Sequence, residues 1–516
     1  MPGKFNTGGR RASKRTTNSG PGGSSFTNHK PLQNMQVMSL YSKKNVSSGE
    51  TVSGKRLSGA LTSKAIDASF TNIGPLDGSG LNIDAKNVTI TGNLNSDGII
   101  LDVSQNWEQW GNDIYGDATD DKAGYSVALS SDGLTLAVGA PYHDSDKGQV
   151  RVYDLRAGFK QWIKRDDIDG DATDDNAGYS VALSSNGLIV AVGAPGHNIL
   201  NGNSNAGQVK VYSYNHNTTS WTQIGTSDID GVSTNEKHGS SVALSSDGQI
   251  LAIGGYGYSS YKGRVRVYYL NNNNWSELGN TYIVGDFDND YFGWSVALSS
   301  DGTTLAIGSY KHNNNDAGLV RVYDHSGVEL PNNLWVQRGQ DIDGTAANDF
   351  MGRSVALSSD GQIVAVGANG HDLVPMDGDN AGRVRVYDFS MSSHDWEPKG
   401  TDIDGNAGDS AGYSVALSSN GQTVAVGAKS HNGESGQVKV YNYSSNDWVQ
   451  KGQDFDGDAT NDFMGWSVAL SSDGKNLAVG SIGSSSSKGL VKTYKNQDSA
   501  IFKFNNIEYK INCDIK

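Results

Sequence analysis

The stretch Ser126-Val-Ala-Leu-Ser-Ser131, followed by Asp132-Gly133, decides the fold because it recurs seven times along the chain. Copies of the hexapeptide begin at Ser126, Ser180, Ser241, Ser295, Ser354, Ser414 and Ser467. Each copy continues with Asp or Asn and then Gly, a pair that is typical of tight hairpin turns because both residues tolerate positive φ. A long repeat of this kind indicates one structural module per copy, so the whole architecture follows from a single unit.

Each repeat contains four short segments with the composition of β-strands. We name them A (such as Ser126–Ser131), B (Leu136–Ala140), C (Val150–Tyr153) and D, a segment led by tryptophan (Trp448–Asp454). Four antiparallel strands repeated seven times predict an all-β fold, a closed seven-bladed β-propeller of four-stranded blades. Small or apolar residues on both faces of A and B predict that these strands are the inner ones, with C and D outside.

The order of the tryptophan segments predicts how the ring closes. Their leading residues are Trp110, Trp162, Trp221, Trp275, Trp335, Trp396 and Trp448. The first precedes the first A strand, and none follows the seventh C strand at 491–494. We therefore expect the strand near Trp110 to complete the last blade, which removes an open sheet edge.

Composition excludes several classes of protein. The chain has 516 residues, a formal charge of −15, and Cys513 as its single cysteine. An intramolecular disulfide and a cysteine-based zinc or iron–sulfur site are therefore impossible. The sequence contains no run of about 18 apolar residues, so we expect no transmembrane helix. No apolar segment follows the basic amino terminus, so we expect no secretory signal peptide.

Charge and patterning predict four segments. Residues 1–65 contain eleven basic residues and one acid, Glu50, and we expect a disordered basic tail. Residues 66–105 predict a β-rich connector or attachment segment, similar in composition to those of viral fibre proteins. The propeller is expected over 106–495, and a β-hairpin over 496–516. The tail could contact nucleic acid, anchor to an acidic protein, or be a solvated extension; its lack of interleaved aromatic residues disfavours nucleic acid.

The repeats resemble FG-GAP repeats, the blade units of integrin α-subunit propellers. Phe292-Gly293 and Gly139-Ala140-Pro141 carry the two name motifs, and the resemblance covers about 390 residues. It implies a seven-bladed propeller that binds protein or glycan ligands. Many family members hold calcium in an acidic hairpin between strands A and B. Here that hairpin is Ser-Ser-Asp-Gly, so this calcium site is not carried over.

Acidic D–A loops are one candidate site. Two of them place oxygen side chains at alternate positions, a spacing that can wrap a calcium ion. The candidate metal ligands are Asp167, Asp169, Asp171, Asp175, Asp454, Asp456, Asp458 and Asp462. The alternative is structural, since Asp side chains commonly cap the backbone of a turn.

The B–C loops supply a second candidate site at the same end of the predicted ring. Equivalent positions hold His143, His197, His312, His371 and His431, with Tyr258 in the third blade. These side chains could form a ligand-binding rim. Alternatively, each histidine could close its own loop by local hydrogen bonding.

These patterns predict a non-enzymatic protein. We expect a binding, adhesion or structural propeller, displayed on a larger assembly such as a virion or cell surface. It would recognise protein or glycan through the face that carries the B–C and D–A loops. One alternative is a propeller lyase or hydrolase that uses the Asp/His rim. Another is an assembly protein whose basic tail binds nucleic acid or capsid protein. No phosphate-binding loop, nucleophile elbow or metalloprotease motif is present in the sequence.

Overall fold

Seven antiparallel sheets form a ring in the computed structural model, which describes residues 100–199, 204–279, 283–325, 334–374, 378–504 and 507–512. Each sheet has the strand order A–B–C–D, so the prediction of a seven-bladed propeller is confirmed. We number the blades 1 to 7 by their A strands. The ring lies in a compact unit that spans Val103–Ser499. The predicted basic tail and the connector up to residue 99 lie outside the described residues.

Strands A and B form a hairpin near the ring axis. The A strands are Ser126–Leu129, Ser180–Leu183, Ser241–Leu244, Ser295–Leu298, Met351–Leu357, Ala411–Leu417 and Met464–Leu470. The B strands are Thr135–Ala140, Ile189–Ala194, Ile250–Gly255, Thr304–Ser309, Ile363–Ala368, Thr423–Ala428 and Asn476–Ser481. Neighbouring A strands contact one another around the axis, as predicted for the innermost strand.

Strands C and D form the outer half of each blade. The C strands are Gln149–Arg156, Gln208–Asn215, Arg264–Asn271, Leu319–His325, Arg383–Ser390, Gln437–Ser444 and Leu490–Phe504. Strand D is continuous in blades 1 and 2, at Gln161–Asp169 and Ser220–Asp230. In blades 3 to 7 strand D is split into two pieces. In blade order these are Asn274–Glu277 with Ile283–Val284, Trp335–Gln337 with Ile342–Asp343, Asp395–Pro398 with Ile403–Asp404, Asp447–Gln450 with Phe455–Asp456, and Ile100–Gln109 with Ile114–Tyr115.

Helical segments are single turns within loops. They are His143–Asp146, Tyr258–Tyr261, His431–Glu434 and Ser484–Ser487, a π-type turn at His312–Asp316, and a 3₁₀ turn at Ala157–Phe159. Asp144 and Ser145, inside the first turn, have φ values of 49° and 59°, which small polar residues adopt more readily than branched ones. Helices of this length in the described part of the chain are too short to cross a bilayer.

The first serine of the hexapeptide fastens each blade to the next. Ser126 Oγ donates to the carbonyl oxygen of Gly178 in the following blade at 2.8 Å. The same bond recurs around the whole ring at 2.7–2.9 Å, ending with Ser467 Oγ to the Gly124 carbonyl. A hydroxyl donor is needed at the same place in every blade, which explains why serine opens all seven copies.

The last two serines shape the A–B hairpin. Ser130 Oγ donates to Asp132 and accepts the backbone N–H of Thr135, so the turn is closed by side chains. The backbone N–H of Ser131 donates to the carbonyl of Ser185 in the next blade at 2.9 Å. Equivalent bonds link all seven blades into a closed circle of hydrogen bonds around the axis. This circle satisfies backbone groups that would otherwise be unpaired at the mouth of the channel.

Strand D of blade 7 comes from the amino-terminal side, as predicted. Ile114 and Tyr115 pair with Val491 and Leu490, and the Trp110 N–H donates to the Thr493 carbonyl at 2.8 Å. The amino-terminal strand thus completes the last blade and closes the ring.

The leading tryptophan of that strand is Trp107, three residues earlier than the predicted Trp110. Trp107 is buried, and its indole N–H donates to the Lys451 carbonyl of blade 6 at 2.9 Å. The equivalent indole of Trp448 donates to the Lys399 carbonyl of blade 5 at 2.7 Å. In both blades a glycine follows four residues after the leading tryptophan, Gly111 after Trp107 and Gly452 after Trp448. Trp110 therefore occupies the position that Lys451 has in blade 6.

Two strands near the carboxyl terminus pair with each other, in the region where a hairpin is predicted over 496–516. Leu490–Phe504 pairs with Ile507–Asn512 in the same sheet. Residues from Ala500 onward belong to a separate unit from the ring.

Candidate functional site

The residue immediately before the first serine of strand A differs from blade to blade, although the hexapeptide after it is the same in all seven blades. Around the ring this position holds Tyr125, Tyr179, Ser240, Trp294, Arg353, Tyr413 and Trp466. Since every A strand lines the axis, these seven side chains converge at the end of the channel where the D–A loops arrive. The symmetry of the ring is therefore broken at its centre.

These seven residues and Tyr256 line a depression of about 130 Å³, which we call the axial pit. Its wall consists of aromatic rings, one guanidinium and one serine. At the opposite end of the channel, the same strands line a cavity of about 140 Å³ with seven identical leucines and seven identical serines. One end of the axis is thus uniform in all blades, whereas the other presents a distinct chemical surface.

Blades 3 and 4 give the axial pit an extended aromatic side. The rings of Tyr256 and Tyr291 stack at 5.5 Å between centroids with an interplanar angle of 13°, and Tyr261 stacks on Tyr291 at 5.1 Å. Trp294 contacts both Tyr256 and Tyr310, with centroids 4.9 and 4.8 Å apart. Tyr261 is 38% exposed, so this aromatic surface continues from the pit to the solvent-facing rim.

Blades 5 and 6 give the axial pit a cationic side. The Arg353 guanidinium lies 4.6 Å from the Trp294 ring centroid and 4.3 Å from that of Tyr413. The ammonium of Lys429 lies 5.0 Å from the same Tyr413 ring and 5.8 Å from that of Phe463. Two cations therefore flank one tyrosine, both held by aromatic rings at distances typical of cation–π contacts.

The hydroxyls of Tyr125, Tyr256 and Tyr413 in the axial pit stay protonated near neutral pH, because their pKa values are raised. Burial raises the pKa of Tyr125 well above its ordinary value, and burial also raises that of Tyr256. Burial raises the pKa of Tyr310 to about 12, although Arg353 opposes the shift. The phenols can therefore donate hydrogen bonds to a ligand, and they add no negative charge that would cancel the nearby cations.

The five predicted histidines lie outside the axial pit, each facing a buried carboxylate of a D–A loop. The Nδ1–oxygen distances are 2.8–3.1 Å for the pairs His143–Asp121, His197–Asp175, His312–Asp290, His371–Asp349 and His431–Asp409. The hydrogen bond to Asp175 raises the pKa of His197. Each imidazole thus joins the B–C loop to the adjacent D–A loop, which favours the loop-closing role over a shared ligand rim.

The paired carboxylates also cap the backbone of their own loops. Asp175 accepts the Ala172 N–H at 2.8 Å, and the same bond recurs in the other blades. In blade 3 the acid is Glu236, which accepts from Arg264 Nε at 2.8 Å instead of from a histidine. The predicted Tyr258 lies over that guanidinium at 4.2 Å, so it too belongs to the loop framework.

The predicted metal ligands already have hydrogen-bond donors. Asp167 accepts from Lys164, Asp169 from Gln149, Asp171 from Lys210, Asp175 from Ala172, Asp454 from Gln450, Asp456 from Gln437, Asp458 from Lys492, and Asp462 from Ala459. Asp171, Asp175 and His197 do converge, with one ligand atom from each within 4.8 Å of the others. However, the Lys210 ammonium contacts both oxygens of Asp171 and supplies the positive charge there. The contacts therefore favour the capping role.

The sequence reasoning missed the lining of the axial pit. The signal in the sequence is the position immediately before the hexapeptide. It holds tyrosine, tryptophan, arginine or serine, although the hexapeptide itself is the same in every copy. A second signal lies two residues before the loop histidines, at Tyr310 and Lys429.

Comparisons with known proteins support the blade assignment. The FG-GAP repeat family matches residues 287–323, which contain Phe292-Gly293 and strands A, B and most of C of blade 4. A comparison with curated protein sequences finds no match. A solved structure, hydrazine synthase from Kuenenia stuttgartiensis, aligns with 71% of this chain and 94% of its own at 14% identity and a TM-score of 0.46. This similarity is too low to carry any argument about function.

The family match, the repeated blade motif and the seven four-stranded sheets agree with one another. The matched blade has the same strands and the same interblade serine bond as the other six. The chain is a seven-bladed β-propeller whose blade 4 matches the FG-GAP repeat family.

Proposed function

We propose that this protein is a non-enzymatic binding propeller whose ligand site is the axial pit. The observation that carries the proposal is the contrast between the two ends of one channel. Seven identical serines and leucines line one end, whereas tyrosine, tryptophan, arginine and serine alternate at the other. A purely structural position would be expected to keep one residue type in all seven blades, as the serines do.

The composition of the axial pit supports binding rather than catalysis. Ligand sites are mostly apolar and aromatic with a few placed polar groups. The residues that line the described pit include no carboxylate and no imidazole, the usual groups for general acid–base chemistry. The histidines and acids that the enzyme alternative requires are engaged with one another in the loops.

The ligand that we propose is a glycan, with a protein as the alternative. Aromatic faces pack against the C–H faces of sugar rings, and tyrosine hydroxyls can bond to sugar oxygens. Sites of this kind suit display on a larger assembly. The basic composition of residues 1–65 supports attachment of the ring to an acidic surface there, such as that of a virion or cell.

A binding screen with matched variants tests the proposal. The full chain is screened against an oligosaccharide array and by pull-down from candidate host extracts. We expect Trp294→Ala in the axial pit to abolish the strongest signal. Leu134→Ser, which changes a 41% exposed side chain at the other end, should leave it intact. Equal binding by both variants would refute the assignment of the site.

A further inference from the structure

Arg353 lines the axial pit and Lys429 lies against the pit residue Tyr413, and neither cation forms an ion pair with a carboxylate of the described residues. Cations of strand C generally pair with acids: Arg151 contacts Asp117 at 2.9 Å, and Lys492 contacts Asp458 at 2.7 Å. In contrast, no described carboxylate lies within ion-pair distance of the guanidinium of Arg353 or the ammonium of Lys429. Aromatic rings contact both cations instead, and the Lys429 ammonium also donates to Ser430 Oγ at 3.2 Å.

Placing two cations close together has an electrostatic cost that an anion would relieve. Burial lowers the pKa of Lys429, and the Arg353 guanidinium lowers it further, against an opposing effect of Glu434. The chain as a whole carries a formal charge of −15, so a locally positive pit is an exception to its surroundings. A guanidinium without a carboxylate partner is well suited to a planar carboxylate or to a sulfate.

The opposite side of the axial pit matches a different part of a ligand. Trp294, Tyr256 and their stacked neighbours present ring faces, which favour an apolar face of a small ring. A cavity of about 150 Å³ holds a benzene ring in an engineered protein core. The axial pit, at about 130 Å³ and open to solvent, can therefore admit one six-membered ring.

We infer that the axial pit binds an acidic sugar, with the sugar ring against Trp294 and its carboxylate or sulfate at Arg353, on the side of the pit where Lys429 adds positive charge. This inference rests on the proposed function and names its ligand class. The anionic group would receive hydrogen bonds from Arg353, and tyrosine hydroxyls would bond to the sugar oxygens. A neutral sugar would leave the two cations without a counter-charge, so the site should discriminate against it.

Matched sugars test this inference. Binding of methyl glucuronide, methyl glucoside and glucose 6-sulfate to the full chain is measured by titration calorimetry or ligand-observed NMR. The first two compounds differ at a single carbon, and the third distinguishes a sulfate from a carboxylate source. We expect the acidic sugars to bind about ten- to a hundredfold more tightly than the glucoside, as expected for charge-assisted hydrogen bonds.

Variants locate the effect. Arg353→Gln should reduce the preference for the acidic sugars about tenfold or more, and Lys429→Met, which removes a charge beside the pit, should reduce it by less. Arg353→Lys keeps the charge and should keep part of the preference, and it serves if the glutamine variant does not fold. Arg156→Gln is the matched control, because it removes one exposed positive charge at the other end of the ring.

The outcomes separate the inference from the proposed function. Equal affinity for glucuronide and glucoside, or a preference that survives Arg353→Gln, would overturn the acidic-sugar inference. If Trp294→Ala still abolished binding of a neutral glycan or a protein, the binding function of the pit would stand. If pit variants changed no binding at all, both would fail.

Discussion

Replacing Trp107 by alanine should destabilise the ring strongly, because this residue closes it. Trp107 is only 3% exposed, it packs edge-on against Phe455 at 6.0 Å, and its indole N–H donates to blade 6. Truncation of a buried tryptophan to alanine costs about 3–5 kcal/mol, and the loss of its hydrogen bond is part of that cost. We therefore expect the free energy of unfolding to fall by about 4 kcal/mol.

The corresponding change in Tm follows from the size of the ring. The compact unit contains roughly 400 residues, and unfolding entropy is about 2.1 cal/mol/K per residue. These values give about 0.8 kcal/mol/K, so Trp107→Ala should lower Tm by about 5 °C in calorimetry. The calorimetric trace also reports whether the ring unfolds in one cooperative transition.

Trp110→Ala is the matched control, three residues further along the same segment. Its ring is half-buried and is covered by the ammonium groups of Lys160 and Lys495 at 4.6 and 4.7 Å. We expect less than half of the destabilisation caused by Trp107→Ala. Equal losses, or a larger loss for Trp110→Ala, would refute the assignment of Trp107 as the closing residue.

Three further predictions concern the framework. Gly427→Ala should lower the free energy of unfolding by at least about 2 kcal/mol, because the added methyl would overlap the Gly465 carbonyl of the next blade. Gly158→Ala is the control, since the added methyl there meets open space, and denaturant titration of both variants measures the difference. Because the folded pKa of His197 is raised, its contribution to stability should be full below about pH 6.5 and be lost as pH rises through the folded pKa. A Tm difference between wild type and His197→Asn that grew with pH would contradict that sign. Calcium should leave Tm unchanged; a rise that Asp171→Asn abolished would instead establish a cation site.

The architecture could be predicted from the sequence because local signals repeat in every blade. Each copy of Ser-Val-Ala-Leu-Ser-Ser carries its own strand, turn and interblade hydrogen-bond donor. Identifying the strands of one blade therefore identifies those of all seven. The error at the ring closure arose from two tryptophans three residues apart. In the sequence, only the glycine four residues after Trp107 distinguishes it from Trp110. The hydrogen bond that reveals the role of Trp107 joins it to the Lys451 carbonyl, more than 300 residues away.

The binding surface was harder to predict because it exists only in the closed ring. Trp294 and Trp466 are separated by about three blades in sequence, yet both line one pit. The loop histidines, in contrast, were conspicuous in sequence because they repeat at one position. Regular repetition reflected the framework of the ring, whereas the variable position before strand A marked the candidate site.

A crystal structure of the full chain with the tightest-binding sugar of the screen tests the central claim most directly. We predict ligand density on the axis, in contact with Trp294 and within hydrogen-bond distance of Arg353. Density at the His–Asp loops, or at the serine-lined end of the channel, would contradict the assignment of the axial pit as the ligand site.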